Sequence, residues 1–118
     1  MANSAFIQQF VLPLTIITAN TSGSVNNAYD TNSAGTVELM LPASAAVGDI
    51  IRVGTIQGNF KVTMDVGQSV LLAGGISTAS DGTGTITSSA VGDYIEMECV
   101  VTNATWKEIS SGGILTIV

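Results

Sequence analysis

The feature that most limits what this chain can fold into is the period of its apolar residues, which recur at every second position in short runs and nowhere sustain a helical repeat. Val37, Leu39 and Leu41 alternate with Glu38 and Met40 up to Pro42, Ile51 and Val53 flank Arg52, and Phe60, Val62 and Met64 flank Lys61 and Thr63. Each run is the pattern of a strand with one buried face. Further strands are expected at 69–72, 84–87, 94–102, 105–110 and 114–118, separated by turn signals such as Gly74-Gly75, Asp81-Gly82 and Gly112-Gly113. The best helical stretch, 43–47, amounts to a single turn at most. The expectation is an all-β domain whose patterned strands begin near Thr36.

One segment is echoed. Ser44-Ala45-Ala46-Val47-Gly48-Asp49-Ile50-Ile51 recurs as Ser88-Ser89-Ala90-Val91-Gly92-Asp93-Tyr94-Ile95, each time leading into an alternating strand. Gly supplies backbone angles closed to other residues, and Asp ties down its own turn before the strand begins. The echo is read either as a reused strand-entry turn or as two related β-units folded face to face in a sandwich or jelly roll.

Charge is scarce. Charged residues make up 10% of the 118 residues while 46% are hydrophobic, against about 25% charged in an average soluble domain. A lone monomer this small has too little charge to cover so much apolar surface, so the chain reads as a subunit that hides part of itself in an assembly. Arg52, Lys61 and Lys107 are the only cations, far apart in sequence, and the net charge is -6, which argues against a phosphate-binding surface, so no nucleic-acid partner is expected. Cys99 is the only cysteine, so no intrachain disulfide forms; alternation places it opposite Glu96 and Glu98, as a small buried hydrophobe.

The N-terminal part differs in kind. Residues 1–29 carry no charged side chain, and Phe6, Ile7, Phe10, Val11, Leu12, Leu14, Ile16 and Ile17 precede a polar, loop-like stretch, 18–27. Gln8, Gln9 and Pro13 interrupt the apolar run, nothing basic precedes it, and it is too short to span a bilayer, so neither a secretion signal nor a membrane contact is expected. Pro13 suits an edge strand or an extended arm. The arm either lies on its own domain or adds its edge to a neighbour, and Phe6, Ile7, Phe10, Val11, Leu12 and Leu14 are its candidate contacts with another subunit or a partner.

Chemistry has little to work with. The chain has no His and one Cys, which removes the usual zinc sets and activated nucleophiles. Glu96 and Glu98 share a strand face and read as solvated; Asp81-Gly82-Thr83-Gly84 lacks the acidic run of a calcium loop and reads as a hairpin tip. The glycine pairs match no phosphate-binding motif. No catalytic residue, metal or cofactor is expected. Trp106 reads as a packing residue whose indole N–H reaches a backbone partner, with stacking on a sugar as the alternative.

The succession Leu41-Pro42-Ala43-Ser44-Ala45-Ala46-Val47-Gly48-Asp49, Gly58-Asn59-Phe60-Lys61-Val62, Gly67-Gln68-Ser69-Val70, Asp93-Tyr94-Ile95-Glu96 and Cys99-Val100-Val101-Thr102-Asn103-Ala104-Thr105-Trp106, closing with Ser110-Ser111-Gly112-Gly113-Ile114-Leu115-Thr116, resembles a small β-domain of tailed-phage virion proteins. The resemblance covers roughly residues 36–118. It implies a compact β-barrel or jelly-roll-like sandwich, trimeric, found at the tips of tail fibres and needles and in capsid decoration (cement) proteins. With an arm and loop over 1–29 and a β-barrel domain over 30–118, there is room for an arm but not for a fibre shaft. The expected function is therefore a non-enzymatic decoration protein on the capsid exterior, a homotrimer that bridges neighbouring major capsid protein subunits. The alternative is a fibre or needle tip binding a host receptor or glycan through Trp106 or Tyr94; a hydrolase on a β-scaffold is a third reading.

Overall fold

The structure, a computed structural model, describes residues 11–118. Nine strands run in the order β1 (Leu14–Ile17), β2 (Thr21–Ser22), β3 (Asn27–Met40), β4 (Ile50–Thr63), β5 (Ser69–Leu71), β6 (Thr85–Thr87), β7 (Tyr94–Val101), β8 (Thr105–Gly112) and β9 (Thr116–Ile117), with no helix among the described residues. They form one mixed sheet with the path β1-β3-β4-β7-β8-β5, to which β2 is added on β3, β6 on β4 and β9 on β6. The all-β expectation holds. Strand structure nevertheless starts well before Thr36: β1 and β2 both pair in parallel with β3, which itself begins at Asn27.

The two 14-residue strands β3 and β4 pair in parallel, and the way they are joined shows that they bend. Straight, each would run about 46 Å. The connection, residues 41–49, spans at most about 30 Å. The register breaks between Thr31 and Thr36, where Thr31 faces Thr55, Asn32 faces Gln57 and Thr36 faces Asn59. Below the bend β4 pairs with β7 through 50–54; beyond it β4 pairs with β6 through 61–63. Each long strand thus serves two groups of neighbours.

The extra residue in β4 at the bend also reverses its alternation. Ile51 and Val53 are buried before it, Phe60 and Val62 after it, so both halves turn their apolar side inward. Gly58, with φ +69°, sits at the corner, and a Cβ there would collide with the carbonyl oxygens of Ser33 and Gly35. The Thr55 hydroxyl lies 3.0 Å from the carbonyls of both Gln57 and Gly58, holding the kink. Tyr29, Ile51, Val53, Ile95, Met97, Cys99 and Trp106 from one group then meet Val37, Leu39, Phe60, Val62 and Ile86 from the other in a single core.

The echoed octapeptide is a turn. The N–H of Asp49 donates to the Ala46 carbonyl at 3.0 Å while the Asp49 carboxylate accepts from the Ala46 N–H at 2.9 Å, and Gly48 has φ +98°. Asp93, Ala90 and Gly92 repeat these contacts at 3.2 Å, 3.0 Å and φ +92°. A third copy was not visible in the sequence: Gln68 donates to the Asp65 carbonyl at 3.0 Å, its side-chain oxygen accepts from the Asp65 N–H at 2.8 Å, and Gly67 has φ +87°. Positive φ at the third position is the requirement of a type II turn. The strands that the first two copies open, β4 and β7, are adjacent and antiparallel, so the echo does not mark units stacked face to face.

Candidate interaction surfaces

Phe6, Ile7 and Phe10 of the arm lie outside the described residues. Of the other arm residues, Val11 and Leu14 are exposed and Leu12 is half-buried. The Ala28 N–H donates to the Pro13 carbonyl at 2.8 Å, and β1 follows with Leu14 opposite Ala28 and Ile17 opposite Thr31. Only Ile17 reaches the core; Leu14 and Ile16 remain 57% and 54% exposed at the end of the strand path. A sheet edge carrying large apolar side chains in water is a template for pairing with another chain.

The second surface is the outer face of the sheet around Tyr94. Alternation turns Ile95, Met97 and Cys99 into the core and leaves Tyr94, Glu96 and Glu98 half-buried on the opposite side. The register then aligns Arg52, Glu96 and Ser110 in one row, Gly54, Tyr94 and Gly112 in the next, and Glu98 beside Lys107. The Arg52 guanidinium carbon lies 4.5 Å from the centre of the Tyr94 ring, and the Tyr94 and Ser110 hydroxyls are 3.0 Å apart. Gly112 on one side makes room for the ring, and Gly54 on the other makes room for the Asp30 carboxylate. A Cβ at Gly112 would lie 2.5 Å from Tyr94 Cε1, and one at Gly54 would lie 2.7 Å from Asp30 Oδ1.

Asp30, Arg52, Glu96, Glu98 and Lys107 are five of only twelve charged side chains in the chain, the sum of 3 cationic and 9 acidic residues, so the scarce charge is concentrated here. Arg52 opposite Glu96 and Lys107 opposite Glu98 are cross-strand neighbours of opposite sign. An aromatic ring with a cation over it and hydroxyl and carboxylate groups around it can bind a hydroxylated ligand or a protein side chain. It has the parts for recognition.

Trp106 is fully buried in the core. Its ring offers no face to a sugar, which removes it from the glycan reading, and its indole N–H finds no hydrogen-bond partner among the described residues, contrary to the backbone partner expected for it. Cys99 is buried, and burial pushes its thiol up from the usual value; it behaves as a small apolar side chain. Among the described residues there is no group of three or more metal-ligating side chains. Asp81 lies in the connection between β5 and β6, which pair with other strands and not with each other, so 81–84 is a loop and not the hairpin tip expected; its carboxylate accepts from the Thr83 hydroxyl at 2.5 Å and the Thr83 N–H at 3.1 Å, which holds it below its ordinary value. Comparison with protein families and with curated proteins finds no match for this chain.

Proposed function

We propose that this chain is a non-enzymatic structural protein of a tailed-phage virion, a decoration protein that forms a homotrimer on the capsid exterior and bridges neighbouring capsid subunits. The observation that carries the reading is the apolar edge strand β1, with Leu14 and Ile16 in solvent, continuous in sequence with an uncharged segment that contains Phe6, Ile7 and Phe10. A subunit built to add its edge to a neighbour has this construction. The finer fold we infer is a jelly-roll-like sandwich; in its support, β3 and β4 each serve two strand groups around one core.

The Tyr94 face favours a second reading, a fibre or needle tip that binds a host glycan. There the Tyr94 and Ser110 hydroxyls, Arg52 and Asp30 would bond the hydroxyls of the sugar. Mass spectrometry of purified virions separates the two. Hundreds of copies per particle support decoration of the capsid, and a few copies support a place at the tail.

A further inference from the structure

The sheet is open on one side. Val118 N–H donates to the Thr85 carbonyl at 3.0 Å and Thr85 N–H to the Val118 carbonyl at 3.3 Å. The next pair along, Ile86 opposite Ile117, is therefore of the non-hydrogen-bonded kind, and the N–H and C=O of Ile117 point away from β6. Strand β8 is bare in a similar way. It pairs with β7 as far as Gly112 but with β5 only through Thr105–Lys107, so its outer edge beyond Lys107 has no strand partner among the described residues.

A groove of about 260 Å³ lies beside these two edges, walled by Leu72, Ile76, Leu115 and Ile117, with Glu108 and Ser111 also lining it. Its one charge is already answered. The Glu108 carboxylate accepts from the Ala73 N–H at 3.1 Å and from the Ser111 hydroxyl at 2.6 Å, so the groove asks for an uncharged, apolar, extended occupant.

We propose that this groove receives residues 2–10 of a second copy of the chain, laid as an added strand against the bare backbone. That segment has no charged side chain, and the two-residue period of a strand puts Phe6 and Phe10 on one face, toward the apolar walls. It leads into β1, four strand spacings from β8 in the path, about 19 Å away, with the Arg52 and Glu96 rows between. Nine residues reach about 30 Å when extended, enough to leave the edge of one copy and enter the groove of another lying beside it. The inference rests on the reading that the protein assembles with itself, and not on its place in a virion.

The test is a disulfide between the arm and the groove in the full chain, with Ala5→Cys and Ala73→Cys introduced in a Cys99→Ala background. Oxidation is expected to link chains into covalent multimers on a non-reducing gel. A link within one chain, or thiols that stay free, overturns the proposal. As a second readout, Ile76→Glu in the otherwise native chain is expected to lower the mass found by light scattering to that of the monomer; an unchanged mass overturns the proposal. A native chain that is itself monomeric sinks self-assembly as a whole, whereas a native oligomer without the cross-link sinks only this placement of the arm.

Discussion

At the scale of single residues, Asp93 connects the turn before β7 to the segment after β8. Its carboxylate accepts from the N–H groups of Ser89 at 2.9 Å and Ala90 at 3.0 Å and from the Ser89 hydroxyl at 3.2 Å, and that hydroxyl is also 2.7 Å from the Ile114 carbonyl. Gly113, at φ +90°, passes so close that any Cβ would collide with the carboxylate. The backbone bond from Ser89 is the largest influence in holding Asp93 below its ordinary value, and the bonds from Ala90 and the Ser89 hydroxyl act in the same direction against burial. A carboxyl whose folded value is depressed adds stability above its unfolded value, about pH 4, and loses it as pH falls through the folded value. Asp93→Asn is therefore expected to lower the Tm at neutral pH and to flatten the decline of Tm on acidification, as followed by calorimetry from about pH 6 to about pH 2. Trp106 gives a contrasting test. Trp106→Ala is expected to cost about 3–5 kcal/mol in urea unfolding, while Trp106→Phe, which removes the unpartnered N–H, is expected to cost less than half as much. The burial of Trp106 was legible from the apolar pattern, but the partner of its N–H was not, because alternation tells which face a residue takes and not which polar atoms meet there.

At the scale of elements, the alternating segments of β3, β4, β5, β6 and β7 were legible, and the bend that makes one core of them was not. The corner residues Ser33, Ala34 and Gly35 are small or polar and largely exposed, so they break the alternation in the same way a loop would. The reversal at Ile56 looks in sequence like the end of one strand and the start of another. The third strand-entry turn was hidden because Gln68 replaces Asp at the capping position while offering the same side-chain oxygen; Val-Gly followed by any residue with a side-chain carbonyl is the signal that finds it. The C-terminal run was expected to be a strand over 114–118, yet only Thr116–Ile117 pairs with β6 as a strand, since Gly113 and Ile114 are used in turning the corner. The bend yields its own prediction. Gly58→Ala places a side chain at positive φ against two carbonyl oxygens and is expected to cost at least about 2 kcal/mol in urea unfolding. Gly35→Ala, with open space around the position, is expected to change stability by less than about 1 kcal/mol.

At the scale of the whole molecule, the sparse charge that pointed to an assembly has a spatial counterpart. Asp30, Arg52, Glu96, Glu98 and Lys107 gather on one sheet face, while Leu14 and Ile16 at the edge and Val47, Val66 and Val91 at the three turn tips stand in solvent. These two kinds of surface would hold copies together by different forces, and salt tells them apart. Contacts between exposed charges weaken as the Debye length shrinks from about 10 Å at 0.1 M to about 3 Å at 1 M salt. Burial of apolar surface does not weaken in that way. If the proposed trimer is held by the apolar edge and arm, sedimentation is expected to give three times 12.0 kDa, about 36 kDa, across that range of sodium chloride. Dissociation toward 12 kDa as salt rises would instead assign the contact to the Arg52–Tyr94 face. That result would also remove the face from the glycan reading, because a surface buried between copies cannot meet a sugar.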